Sequence, residues 1–255
     1  MMIDDATSQI QALHFCQQES TDTYLFMMKN YLLKHGKPQL LYVDKHAVFS
    51  VNRDDTSSKN FMTSFHQAMT DLDIELILAS TPQAKGRVER VNRTLQDRLV
   101  KELKLRNIKT MEEANTYLPT YIEEHNQLFA LAAAQEEDFH RKLTSDELYA
   151  LERILAKRAY RSVSKSLTVD FMGTTYQLLE SSRINRLRSQ GVQCRIQLDG
   201  AVIILDQEGR LLDYQIVRVK KKAPQVMSKK SLQQRQRQRD AAIDNFLRRS
   251  KQRSA

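Results

Sequence analysis

The sequence predicts an α/β layer with parallel strand pairings, followed by a small antiparallel β-barrel and a basic tail. Three observations carry that reading. Short apolar runs alternate with amphipathic helical stretches through the first half of the chain. The hydrophobic period then changes from helical to two. Residues 218 to 255 hold thirteen Lys or Arg against two Asp, a net of +11, so that the chain total of +9 leaves −2 for everything before them.

The elements follow in order. "IQALHF" reads as a strand, and "TDTYLFMMKNYLLKHGKP" as a helix with apolar positions Tyr24, Met28, Tyr31 and Leu32, stopped by Gly36 and Pro38. "QLLYVD" reads as a short buried strand ending on an acid. "TSSKNFMTSFHQAMTDL" follows as a helix and "IELILA" as a strand. After the loop "STPQAKG", "GRVERVNRTLQDRLVKEL" is a long helix. Strand and helix alternate as in a parallel layer, where active sites sit beyond the carboxyl ends of strands.

A second long helix is expected near 111–127, then an Ala-rich acidic connector, then a helix starting near Thr144, where "TSDE" has the spacing of a capping box. Beyond this boundary Leu167, Val169 and Phe171 alternate with polar residues, as do Val192, Cys194, Ile196 and Leu198. "QLDGAVIIL" carries the Asp-Gly turn of a tight hairpin. The predicted units are an α/β core over 1–130, a helical linker over 131–162, a β-barrel over 163–219 and a basic tail over 220–255, disordered or helical.

Composition bounds the function. A hydrophobic content of 41% suits a folded core. No apolar run approaches the roughly 20 residues that cross a bilayer, and "MMIDDATSQI" lacks the pattern of a signal peptide, so a cytoplasmic location without a membrane partner is expected. Cys16 and Cys194 are far apart and lack companions at metal spacing, which argues against a disulfide framework or a zinc site and for two small buried apolar residues.

Two acids stand where an α/β layer places reactive groups. Asp44 closes "QLLYVD", and Glu89 falls in the first turn of the helix after "STPQAKG". Val88, Val91, Leu95 and Leu99 form that helix's apolar stripe, with Glu89, Arg93 and Gln96 on an adjacent face. The plain reading is an acid favoured by a helix dipole and an Asp closing a strand, and spacing alone supports it. The surroundings add a second reading. Carboxylate oxygens can hold two hard cations roughly 4 Å apart for phosphoryl transfer. Lys85, Arg87, Arg90 and Arg93, with the open amides of a helix start, would hold phosphates that carboxylates alone repel.

"STPQAKGRVERVNRTLQDRLVKEL" with "LLYVDKHAVFSVN" resembles the integrase core of insertion-sequence transposases, most nearly the ISNCY group. "IDDATSQIQALHF", the linker helix and "KSLTVDFMGTTYQLL" extend the resemblance over almost the whole chain. It implies an RNase H-like core followed by an SH3-like barrel. It also implies a nucleoid-associated transposase acting on transposon-end and target DNA with Mg²⁺ or Mn²⁺, as a homo-oligomer or in association with an intact transposase. Asp44 would be the second acid and Glu89 the third of an Asp, Asp, Glu metal-binding triad, with Lys45 and His46 as neighbours or plain loop residues.

By the same resemblance the first acid lies on a strand ahead of this chain's start, and Asp4 and Asp5 match the beginning of the next strand. A core lacking that strand is expected to have an exposed edge or a gap, two carboxylates for metal, and little or no strand transfer. The alternative is a non-catalytic DNA-binding protein that modulates an intact transposase. Lys229, Lys230, Arg235, Arg237 and Arg239 would then supply a phosphate-binding run.

Overall fold

The computed structural model describes residues 1–44, 48–49, 62–79, 82–133, 137–179 and 184–219. The chain opens with two short antiparallel strands, β1 (Met2–Ile3) and β2 (Ile10–Ala12). Helix α1 (Thr21–His35) follows, capped by Ser20, whose hydroxyl accepts the Thr23 amide at 3.2 Å. It buries Leu25, Met27, Met28, Tyr31 and Leu32 along one side and stops at Gly36. Gly36 has φ +88°, and a β-carbon there would sit 2.8 Å from the Arg141 carbonyl oxygen, so glycine is required twice over.

Next come β3 (Leu40–Val43), α2 (Ser64–Asp71) and β4 (Glu75–Leu78), with β3 and β4 parallel in the register Leu40 to Glu75 through Val43 to Leu78. Leu41 and Val43 turn inward onto a core with Leu25, Met28, Leu32, Phe65, Met69 and Leu72. Their neighbours do not. Leu40 is 38% and Tyr42 54% exposed, which corrects the expectation of a buried strand: alternating side chains leave this face uncovered when no layer packs on it. Among the described residues, β1–β2 and β3–β4 are separate two-stranded sheets.

Helix α3 (Pro82–Leu105) begins before the expected "GRVERV". Pro is preorganised for the first helical position, and Gln-Ala-Lys propagates a helix well, so "PQAKG" joins it. Glu89 is therefore two turns inside α3. Neither a first-turn dipole nor helix-start amides beside Arg87, Arg90 and Arg93 apply.

Helix α4 (Met111–Phe129) has a capping box between Thr110 and Glu113 and runs across the outer edge of β2. There its side chains replace a neighbouring strand. Asn126 accepts the Ile10 amide at 2.8 Å and donates to the Ile10 carbonyl at 2.9 Å; Asn115 makes the same pair of bonds with Phe15, at 2.8 and 3.0 Å. Asn126→Ala leaves both polar groups of Ile10, a residue 1% exposed, without these partners. An expected loss of about 1–3 kcal/mol would appear as a lower urea midpoint.

The connector is less helical than expected. Residues 137–143 form no helix; Lys37 and Arg141 instead exchange two backbone hydrogen bonds at 2.7 and 2.8 Å. Helix α5 (Ser145–Ile154) has the anticipated Thr144–Glu147 capping box, and its Leu151 and Leu155 join the first core. The segment from 157 to 162 is a strand, β5 (Lys157–Ser162), so antiparallel structure begins ahead of residue 163.

The remaining strands are β6 (Thr168–Phe171), β7 (Thr174–Leu178), β8 (Gly191–Ile196), β9 (Val202–Leu205) and β10 (Tyr214–Val219). They form two three-stranded antiparallel sheets, β5-β8-β9 and β10-β7-β6. Val169, Tyr176 and Leu178 from one sheet meet Val192, Cys194 and Ile204 from the other in a second core. The Asp-Gly turn joins β8 to β9, with Gly200 at φ +87° and the Gln197 amide donating to Ala201 at 2.8 Å. Cys194 is buried, and burial pushes its thiol up to about 11, whereas Cys16 is only half-buried, contrary to expectation.

Candidate active site

A cavity of about 450 Å³ opens between β1 and β3. Met28, Phe49 and Phe65 from the first core line it, as do Val88, Glu89 and Asn92 of α3. Positions i, i+1 and i+4 share one side of a helix, so α3 presents Glu89 and Asn92 together. Asp44 follows the carboxyl end of β3 directly and lines the same cavity. The fold thus brings Asp44 and Glu89 to one site from a strand end and a helix, while Val43 and Val91 beside them are buried and anchor both elements.

Two further acids line this cavity, Asp5 and Glu19. Asp5 pairs with Arg87 at 3.1 Å, so Arg87, expected to meet phosphate, meets a carboxylate here. Both side chains are about half exposed, which makes the pair weak and salt-sensitive. Glu19 accepts a hydrogen bond from the Tyr24 hydroxyl. Burial, then Glu19, then Asp44 push the Tyr24 phenol well above its usual range, as expected for a ring set among carboxylates. Glu19 had no sequence signal beyond an acid next to a helix-capping Ser.

Arg90 and Arg93 are exposed on α3. Lys85 belongs to α3, but its side chain lies outside the described residues, as do Lys45, His46, Lys229, Lys230, Arg235, Arg237 and Arg239. Oxygen donors around the cavity suit a hard cation rather than a soft one. Their placement does not suit two: among the described residues no group of three His, Cys, Asp or Glu is placed to hold a metal ion. No described helix is long and apolar enough to cross a membrane.

The chain is similar in sequence to insertion-sequence transposases. It is 38% identical over 218 residues to y4bF of Sinorhizobium fredii (strain NBRC 101917 / NGR234), which carries a transposase name; the match covers 85% of this chain and 47% of y4bF. It is 40% identical over 131 residues to the transposase for insertion sequence IS1202 of Streptococcus pneumoniae, covering 51% of this chain and 28% of that one. The chain therefore spans about half the length of the first relative and less of the second. The solved simian T-cell lymphotropic virus intasome in complex with PP2A regulatory subunit B56 gamma aligns over 80% of this chain and 66% of its own. Its identity is 17% and its TM-score 0.34, too low to establish a common fold. No known protein-family profile matches the chain.

Proposed function

We propose that residues 1–255 carry part of the catalytic core of an Asp-Asp-Glu transposase of the ISNCY kind, an enzyme of metal-dependent phosphoryl transfer on DNA. The observation behind this reading is that Asp44 and Glu89, from separate elements, line one cavity beside the exposed arginines of α3. In it the α/β layer is an RNase H-like core and the two β-sheets an SH3-like barrel. The likeness to y4bF over 85% of the chain supports it.

Asp44 and Glu89 would hold one Mg²⁺ or Mn²⁺, which would supply Lewis-acid stabilisation of the charge that develops on a phosphoryl oxygen. Arg90 and Arg93 bind and orient the backbone phosphates of element-end and target DNA, and Arg87 joins them when the Asp5 pair opens. Lys85 and the basic tail supply further positive charge for DNA in this reading. Among the described residues, Asp44 and Glu89 are the two acids this reading assigns to the metal.

Manganese binding, followed by electron paramagnetic resonance, tests the assignment without relying on turnover. Asp44→Ala and Glu89→Ala are each expected to weaken it by more than about 100-fold, because even outer-shell partners are worth 10–100-fold. Any nicking or joining of element-end DNA should vanish in both variants. Activity that survives both substitutions discards the site.

The basic last residues support a second reading, a nucleoid-associated DNA-binding protein that pairs with an intact transposase and modulates it. DNA affinity should then fall steeply with salt, and deleting residues 220–255, which carry most of the +11 charge, should flatten the dependence. An unchanged slope rules out the tail as the contact.

A further inference from the structure

We infer that Arg158 and Arg195, at the joint between the α/β layer and the β5-β8-β9 sheet, bind a phosphate-class oxyanion. The site is separate from the cavity of Asp44 and Glu89, and it does not depend on the transposase reading.

Strand geometry places both residues. Val192 and Cys194 of β8 point into the second core, so Gln193 and Arg195 point to the outer face of the sheet. The register sets Arg195 directly opposite Arg158 of β5 on that face. The face is covered. The Arg158 amide donates to the Ser64 hydroxyl of α2 at 2.9 Å, and the Arg158 guanidinium donates to Asp71, at the other end of α2, at 2.7 Å and to the Ile154 carbonyl of α5 at 2.9 Å. Arg195 donates from Nη1 to the Arg153 carbonyl at 2.8 Å and from Nε to Gln193 Oε1 at 2.6 Å. The sheet, α2 and the end of α5 thus close around two guanidiniums.

The charges in this joint do not balance. Like charges directly opposite across a strand pair are destabilising. Among the described residues, Asp71 is the only carboxylate paired with either arginine. The carboxyl end of α5 adds about half an elementary negative charge, which leaves the pair at about +0.5. Arg153, whose field reaches Arg195, raises that sum. Burial, then Arg158, push the Arg195 guanidinium down to about 10, so it still carries its charge at neutral pH. The Arg158 side chain is 4% exposed, and its Nε is buried without a hydrogen-bond partner. A buried donor on a cation is costly to leave unmade. A tetrahedral oxyanion meets both deficits: it brings negative charge, and it offers oxygens to the N–H groups that Asp71 and the carbonyls leave unused. So enclosed a side chain admits a small ion more readily than a duplex backbone.

The test uses the full chain without divalent metal, exchanging chloride for inorganic phosphate at fixed ionic strength while NMR follows the arginine Nε–H resonances. Those of Arg158 and Arg195 are expected to shift together and to saturate. Arg195→Gln should raise the half-saturating phosphate concentration at least about 10-fold, the value of a charge-assisted hydrogen bond. Asp71→Asn should lower it by removing a competing carboxylate, a gain that a purely structural Arg158–Asp71 pair does not predict. If Arg195→Gln fails to fold, the unaltered chain and Asp71→Asn still decide. A short DNA duplex is the second arm: resonances moved by inorganic phosphate assign a free oxyanion, and resonances moved by the duplex alone assign a phosphodiester to the same two arginines. No saturable shift with either probe, or an Asp71→Asn value that does not fall, overturns the site.

Discussion

Glu147→Ala is expected to cost about 3–5 kcal/mol, the effect of leaving a buried charge without its partner. Lys37 is 6% exposed, and its ammonium donates to Glu147 Oε1 at 2.5 Å. The other carboxylate oxygen accepts the Thr144 amide at 2.8 Å, so one side chain both neutralises Lys37 and caps α5. Backbone bonds to Arg141 fix the main chain of Lys37 and limit its escape to water. Urea unfolding measures the loss. Adding Lys37→Met to Glu147→Ala should recover stability, because it removes the stranded charge; a double variant no better than the single one would show that the capping bond alone mattered.

The same pair has a pH signature. Burial pushes the Glu147 carboxyl up, but bonds from Lys37 and the Thr144 amide outweigh it, and the net shift is downward from 4.5. A carboxyl depressed in the folded state contributes stability that is fully present above its unfolded value. That stability fades as pH falls below 4.5 through the folded value. Acid unfolding of Glu147→Gln should therefore be flatter in this range than that of the unaltered chain.

Leu155→Ala carries the second large effect, about 2–5 kcal/mol for emptying a closed core position. Leu155 is 0% exposed and belongs to the core that holds Leu25, Met28, Leu32 and Met69. If α5 is part of the α/β core, the substitution accelerates hydrogen exchange in α1 and α2 as well as lowering the urea midpoint. A change under about 0.5 kcal/mol, the range of ordinary surface substitutions, would make α5 a mere connector.

These two results bear on what could be read before folding. The period-two alternation of Leu167, Val169 and Phe171 already stated which residues would be inside, and all three are buried. The capping box at Thr144 and the stop at Gly36 were legible for the same reason: caps depend on residues a few positions apart. The role of Lys37 was not. A lysine after a helix end reads as a solvated charge, and its burial depends on Glu147, far along the chain. The Asn115 and Asn126 clamps and the Asp5–Arg87 pair were hidden likewise, because each joins distant segments.

Local order along the chain determined most of the helices and strands, the hairpin turn, the charge of the last residues and the two acids worth watching. Only the tertiary structure decided that Asp44 and Glu89 line one cavity and that Glu19 and Asp5 stand beside them. Periodicity and capping are short-range and written in neighbouring residues. A cavity is a relation between surfaces brought together by packing, and no stretch of sequence contains it.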